Sequence, residues 1–121
     1  MEPTPLQSAL REFARRRDWD RYHTPKNLVM ALCGEAGELA ELFQWLTEAE
    51  AGAIMASETR AARVREELAD VHLYLVRLAD VLGVDLEAAA WAKLAVNEGK
   101  YPEHLARGNA LKYDELGRPP E

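Results

Sequence analysis

The predicted fold is decided by LVMALCGEAGELAELFQWL, residues 28–46, and by VREELADVHLYLVRLADVL, residues 64–82. In the second segment the apolar residues recur in steps of four and three, at Val64, Leu68, Val71, Leu75, Leu78 and Leu82. The first segment follows the same steps, at Leu28, Leu32, Leu39, Leu42 and Leu46. This period is typical of a helix that packs on another helix through one apolar face. We therefore expect two long helices that pack through these faces.

Acidic residues occur in pairs in both segments. Glu35 and Glu38 are three residues apart, as are Glu67 and Asp70, so each pair lies on one helix face. Glu35 also occupies a position of the apolar face itself, where an unpaired buried charge is heavily penalised. Four carboxylates that meet between the helices need a compensating cation or shared protons. The pattern predicts a metal site built from these four residues, although each acid taken singly is also compatible with solvated surface.

The ligand type indicates which metal is expected. Oxygen-only ligands favour hard cations, with Mg²⁺ first and Mn²⁺ as a substitute. A di-iron carboxylate bundle is the competing class, but it uses Glu-x-x-His on two helices. The residues three positions before the histidines here are Asp20, Ala69 and Tyr101. The sequence therefore favours Mg²⁺ over di-iron.

The composition narrows the class of protein. The 121 residues predict one domain, and 48% hydrophobic residues are enough for a core. The formal charge of −6 argues against general nucleic-acid binding, which needs a basic surface. The single cysteine, Cys33, excludes an internal disulfide and is expected in the core. No apolar run approaches the roughly 20 residues of a membrane helix, so a cytoplasmic protein without a membrane partner is expected.

Capping signals place the helix boundaries. Thr4, Thr24, Ser57 and Asp85 each occupy a position typical of a helix N-cap. The predicted helices run from Pro5 to about Arg17, from Pro25 to about Leu46, from Glu58 to Leu82 and from Leu86 to about Glu98. The segment between the second and third helices, 47–56, is predicted to be a loop. Short connections between four helices predict an antiparallel all-α four-helix bundle over residues 1–103. A polar, partly disordered tail is expected over residues 104–121.

The fourth predicted helix carries a second polar pattern. Lys93, Asn97 and Lys100 fall at i, i+4 and i+7, so they share a face near the end of that helix. Donors in this arrangement can hold phosphate oxygens. Spacing alone favours solvated surface over a phosphate contact for these residues.

Four longer strings point to a known family. RDWDRYHTPKNL, GEAGELAELFQW, EELADVHLYL and KYPEHLAR, together with the paired acids, resemble the all-α MazG-like nucleoside triphosphate pyrophosphohydrolases, in their dCTP pyrophosphatase-like branch. The resemblance covers about residues 12–114. It implies hydrolysis of a nucleoside triphosphate to a monophosphate and pyrophosphate, most simply on dCTP or modified dCTP as house-cleaning. A dUTP or broad-specificity pyrophosphatase and a non-catalytic helical association module are the alternatives.

The resemblance also implies roles for single residues. Glu35, Glu38, Glu67 and Asp70 would be the Mg²⁺ ligands, and Glu38 or Glu41 would accept the proton from water. In the resembling branch, aromatic residues enclose the base, and these correspond to Trp19, His23, Trp45 and Phe13. Tyr74 is expected at the sugar or phosphate, or in the core, and Lys93, Asn97 and Lys100 at the phosphates. The resemblance further implies a homo-oligomer with sites built across subunits, a tetramer of two dimers before a dimer.

Overall fold

The computed structural model describes residues 1–117. Its helices are α1 (Pro5–Arg16), α2 (Pro25–Glu41), α3 (Glu48–Gly52), α4 (Glu58–Leu82), α5 (Leu86–Lys100) and α6 (Glu103–Ala106), with a 3₁₀ turn at Ile54–Ala56. The described residues contain no strand, which confirms the predicted all-α class. None of their helices is both long and apolar enough to cross a membrane.

Local capping explains the boundaries that were predicted well. The Thr4 hydroxyl accepts a hydrogen bond from the Gln7 backbone N–H at 3.2 Å, and the Gln7 side chain accepts one from the Thr4 N–H at 2.9 Å. The Ser57 hydroxyl accepts a hydrogen bond from the Arg60 backbone N–H at 3.3 Å at the start of α4, and Gly83 ends α4 in the left-handed conformation with φ +70°. These interactions depend on residues within one helical turn, so they can be predicted from sequence alone.

Three predicted boundaries are wrong. Helix α2 ends at Glu41, and Trp45 lies in the turn that follows. The predicted loop contains α3 and the 3₁₀ turn, because Thr47 and Glu50 form a second capping box. Helix α5 continues through Gly99 to Lys100, since it is the proline at position 102, rather than the glycine, that prevents further helix.

The chain forms two compact units, Met1–Val84 and Asp85–Glu121. In the first unit α4 packs along α2 and also contacts α1. The α2–α4 pair is antiparallel: His23, just before α2, contacts Arg77 near the end of α4, while Glu35 meets Glu67 in the middle of both helices. Its buried apolar residues are Ala14, Leu28, Ile54, Ala61, Val64 and Ala79.

The predicted apolar face of α4 is only partly buried within the chain. Val64 is buried, but Leu68 and Leu82 expose 52% and 54% of their surface. Cys33, which was expected in the core, is exposed as well. The physical reason for the exposure on α4 is that α1, α2 and the 3₁₀ turn together cover only part of this helix.

The second unit contains α5, α6 and the segment after them. The Tyr113 ring lies edge-on to the Tyr101 ring at 6.5 Å, and the Lys100 Nζ atom lies 4.7 Å from the Tyr113 ring centre. The predicted polar tail therefore includes a short helix and an aromatic contact. Its last residues, 118–121, lie outside the described residues.

Candidate metal centre and aromatic groove

Three of the four predicted carboxylates converge between α2 and α4. Glu35, Glu38 and Glu67 each offer an oxygen, and these oxygens all lie within 4.8 Å of one another. The Oε2 atoms of Glu35 and Glu67 are buried and have no hydrogen-bond partner. Buried polar atoms normally have a partner. A divalent cation would provide one for both, so these residues, named the carboxylate cluster below, fit a hard metal ion.

The pKa values of two carboxyl groups in the cluster are raised by burial and by the neighbouring carboxylates. Burial first, then the neighbouring Glu38, Asp70 and Glu67, together raise the pKa of Glu35 to about 7. The pKa of Glu67 is also raised, by burial first and then by the charge of Glu38. Both shifts favour the neutral acid, which is expected where like charges meet in a poorly solvated place.

Asp70, the fourth predicted ligand, lies one helical turn beyond Glu67 and outside the group of three. Its charge nevertheless helps to raise the pKa values of Glu35 and Glu67. Asp70 also lines an adjoining groove, so it links the carboxylate cluster to a second surface.

This second surface, the aromatic groove, has a volume of about 220 Å³. It is lined by Leu10, Phe13, Trp19, His23, Asp70, Leu73, Tyr74 and Arg77. The Trp19 ring lies edge-on to the Phe13 ring at 5.7 Å and tilted to the His23 ring at 6.1 Å. The structure therefore brings three of the residues expected around the base, Phe13, Trp19 and His23, to one cavity. Tyr74, expected at the sugar or phosphate or in the core, and Asp70 line the same cavity.

A tight turn after α1 places Trp19 in this groove. Asp18 adopts the left-handed conformation with φ +56°, and the Trp19 N–H donates to the Ala14 carbonyl at 2.9 Å. The Arg17 guanidinium covers the Phe13 ring at 3.6 Å. The turn thus folds the indole back against the end of α1.

Arg77 is a residue of the groove that sequence reasoning missed. It is buried, with 8% of its surface exposed. Its Nε–H donates to Nδ1 of His23 at 3.1 Å, and its Nη2 donates to Asp20 at 3.0 Å. Its Nη1 lies 3.7 Å from Asp80, which accepts two hydrogen bonds from Arg11 at 2.7 and 2.6 Å. These five residues are called the arginine network below.

The sequence did carry a signal for Arg77. Asp70, Tyr74 and Arg77 fall at i, i+4 and i+7, so all three lie on the helix face that borders the groove. An arginine is rarely buried without acidic partners. Those partners, Asp20 and Asp80, become visible only in three dimensions.

The remaining predicted residues lie elsewhere. Glu41 lines a different groove of about 390 Å³ together with Arg60 and Arg63. Trp45 exposes 87% of its surface. The predicted phosphate contacts Lys93, Asn97 and Lys100 share α5 in the second unit.

The family match follows the residues of this site. A model of the MazG-like family matches residues 30–116, which include the whole carboxylate cluster and Asp70. The chain belongs to the MazG-like family. This confirms the resemblance stated from the sequence motifs.

Two mammalian proteins are similar to this chain over most of its length. It is 50% identical to dCTP pyrophosphatase 1 of Rattus norvegicus over 107 residues, covering 88% of this chain and 63% of the relative. It is 51% identical to dCTP pyrophosphatase 1 of Homo sapiens over 105 residues, covering 87% of this chain and 62% of the relative. The chain thus spans less than two thirds of the length of these relatives.

A solved structure is also similar. The crystal structure of a pyrophosphatase from Archaeoglobus fulgidus matches with a TM-score of 0.75 and 43% identity. The match covers 80% of this chain and 89% of that chain.

Proposed function

We propose that this chain is a divalent-metal-dependent nucleoside triphosphate pyrophosphohydrolase that acts on dCTP or a modified dCTP. In this reaction the oxygen of water bonds to the α-phosphorus, the bond from that phosphorus to the bridging oxygen breaks, and pyrophosphate leaves. The observation that carries the proposal is the carboxylate cluster, with two buried and unpartnered oxygens, beside an aromatic groove. The names of the similar proteins support the same reaction and base.

The carboxylate cluster would hold Mg²⁺, with Asp70 as the fourth ligand and Mn²⁺ as a substitute cation. A bound divalent cation would supply positive charge against the triphosphate and lower the pKa of water. The protein supplies the fixed positions of the carboxylates, because α2 and α4 pack along each other on either side of the cluster.

Glu38 is the proposed proton acceptor. It belongs to the cluster and its side chain is exposed, so it can reach water. Glu41, the alternative, borders the groove with Arg60 and Arg63 instead. Because Glu38 belongs to the carboxylate cluster and Glu41 does not, Glu38 is favoured as the proton acceptor.

The aromatic groove would take the base. Trp19 offers an indole face for stacking, and stacking of a base on an aromatic side chain contributes about 1–3 kcal/mol. His23 and Tyr74 place polar atoms in the same groove. Since stacking alone discriminates weakly between bases, dUTP hydrolysis or broad specificity is the second candidate.

We further propose a homo-oligomer, a tetramer of two dimers before a dimer. Large apolar side chains support this: Trp45 exposes 87%, Trp91 65% and Leu82 54% of their surfaces. Apolar surface of this kind gains about 25 cal/mol per Å² when it is covered. The completed four-helix bundle over residues 1–103, the base contact of Trp45, and the phosphate contacts of Lys93, Asn97 and Lys100 belong to the same proposal.

Product analysis tests the proposed function. The protein is incubated with a panel of dNTPs and NTPs in Mg²⁺, in Mn²⁺ and in EDTA, and monophosphate and pyrophosphate are separated. Conversion of dCTP to dCMP and pyrophosphate only with a divalent cation is expected. Equal rates in EDTA, or hydrolysis to dCDP and phosphate, would contradict the proposal. No cleavage under any condition would favour a non-catalytic helical association module.

A further inference from the structure

We propose that Arg77 is a positioning residue for base selection, because its Nε–H holds His23 in the one tautomer that presents a hydrogen-bond donor to the aromatic groove. This inference rests on the proposed function and narrows its substrate class. It concerns residues that all lie in the first unit.

The contact between the two side chains sets the tautomer. A guanidinium carries only donors and stays protonated, so the 3.1 Å contact from Arg77 Nε requires Nδ1 of His23 to be an acceptor. The neutral imidazole then carries its proton on Nε2. Moving that proton to Nδ1 would bring two N–H donors together.

Protonation of both ring nitrogens is also disfavoured, because a proton on Nδ1 would face the Nε–H donor of Arg77. Burial lowers the pKa of His23, and the charge of Arg77 lowers it further, while Asp20 opposes the shift. His23 is therefore held neutral as well as oriented, and Nε2–H is the only ring N–H that it has to offer.

Arg77 is itself held firmly. Its side chain exposes 10% and the Asp80 side chain 8% of their surfaces. Asp20 accepts from Arg77 on one side, and Asp80 is fixed by two hydrogen bonds from Arg11 on the other. A guanidinium bound at both ends of its fork cannot turn away to release Nδ1 of His23.

A donor fixed at Nε2 of His23 distinguishes pyrimidines by the hydrogen-bonding groups along the edge of the base. The ring nitrogen N3 of cytosine is an acceptor, whereas N3 of uracil carries a hydrogen and is a donor. An imidazole that could change tautomer would serve both bases, but one locked by Arg77 can pair only with an acceptor. A site built around one hydrogen bond rejects the analogue that cannot make it, since a buried polar group is then left unpaired. The carbonyl O2 of either base and O4 of uracil also accept hydrogen bonds, so the selection operates at N3. With N3 of the base facing Nε2–H of His23, the arginine network predicts cytosine over uracil.

Nitrogen NMR tests the tautomer without any activity. In uniformly ¹⁵N-labelled protein, His23 is assigned by the loss of its signals in His23→Gln. We expect a protonated Nε2 and an unprotonated Nδ1 in the unaltered protein, and averaged shifts for the two nitrogens in Arg77→Gln. A protonated Nδ1 in the unaltered protein would overturn the inference.

Kinetics test the selectivity. The ratio of kcat/KM for dCTP to that for dUTP should fall about tenfold in Arg77→Gln. The fall should come mainly from a lower KM for dUTP, since the freed imidazole can then accept from N3–H of uracil and the interaction holds the base rather than the reacting phosphate. Arg65→Gln is the matched control, because Arg65 is exposed on the same helix and does not line the aromatic groove. Its ratio should stay within about twofold of the unaltered protein.

A second variant keeps the test decisive if Arg77→Gln does not fold. His23→Gln leaves Arg77 with Asp20 and Asp80, and its amide offers both a donor and an acceptor. The dCTP preference should fall about tenfold here too. An unchanged ratio in a folded variant at either position overturns the inference alone, whereas absence of hydrolysis by the unaltered protein overturns the proposed function.

Discussion

Two charged regions lie at different levels of the α2–α4 pair, and they differ in how their buried charges are compensated. In the arginine network, Arg77 and Asp80 are almost fully buried, and each has hydrogen-bond or ion-pair partners within the chain. In the carboxylate cluster, two buried oxygens have none. Buried polar atoms that have partners within the chain hold their positions, whereas buried carboxylate oxygens without partners are suited to bind a cation. The aromatic groove borders both, since Arg77 and Asp70 line it.

The largest expected effect is on turnover, from a change in the carboxylate cluster. Glu67→Gln should lower kcat/KM for dCTP by more than about 100-fold, because it removes a charged ligand without changing shape. The assay is pyrophosphate release in Mg²⁺, with circular dichroism to confirm the helical fold. Glu66→Gln on the exposed surface beside it is the control and should stay near the unaltered rate. Equal rates for both variants would contradict the metal role.

A change in the arginine network should lower the free energy of unfolding. Arg77→Ala should lower the free energy of unfolding by about 2 kcal/mol, because Asp20 and His23 lose a charged donor and Asp80 keeps only Arg11. Urea denaturation measures the change. Arg63→Ala, at an exposed position of the same helix, should cost less than about 0.5 kcal/mol. A similar loss for the two variants would mean that the network contributes no particular stability.

The groove between the regions should respond through substrate binding. Trp19→Ala should raise KM for dCTP about tenfold with a smaller change in kcat, since it removes a stacking surface far from the reacting bond. Steady-state kinetics over a range of dCTP concentrations separate the two constants. Tyr22→Ala, an exposed aromatic outside the groove, provides the comparison. A rise in KM for Tyr22→Ala as large as that for Trp19→Ala would remove the groove from base binding.

The smallest expected effect is a pH-dependent change in the thermal stability of the metal-free protein. The pKa of Glu35 is raised from 4.5 to about 7, so between these values the native state binds more protons than the unfolded state. Stability in EDTA should therefore fall as pH rises from about 4.5 through 7. Glu35→Gln should remove part of this fall and raise Tm by about 3 °C at pH 8, with little change at pH 4.5. Parallel Tm curves for the two proteins would contradict the raised pKa.

The features predicted correctly from the sequence depend on short-range patterns. Thr4, Ser57 and Gly83 act within one helical turn, and the position of Glu35 and Glu38 on one face of α2 follows from helix geometry. The α3 capping box at Thr47 is equally local, but the helix that it starts is only one turn long and ends at Gly52, a residue typical of loops.

The features that were missed depend on long-range contacts. Arg77 is buried only because Asp20 and Asp80 approach it in the folded chain, and they lie in different segments. The exposure of Leu68 and Trp45 could not be predicted either, since an apolar residue in a helix or at its end looks the same whether its cover comes from its own chain or from another.

Direct metal binding tests the central claim that the carboxylate cluster is a cation site. Mn²⁺ is titrated into the protein and into Glu67→Gln, and free Mn²⁺ is followed by electron paramagnetic resonance, with Mg²⁺ as competitor. We predict saturable binding that Mg²⁺ displaces and that is lost or weakened more than about tenfold in the variant. Binding of equal strength in both proteins, or no binding in either, would contradict the account.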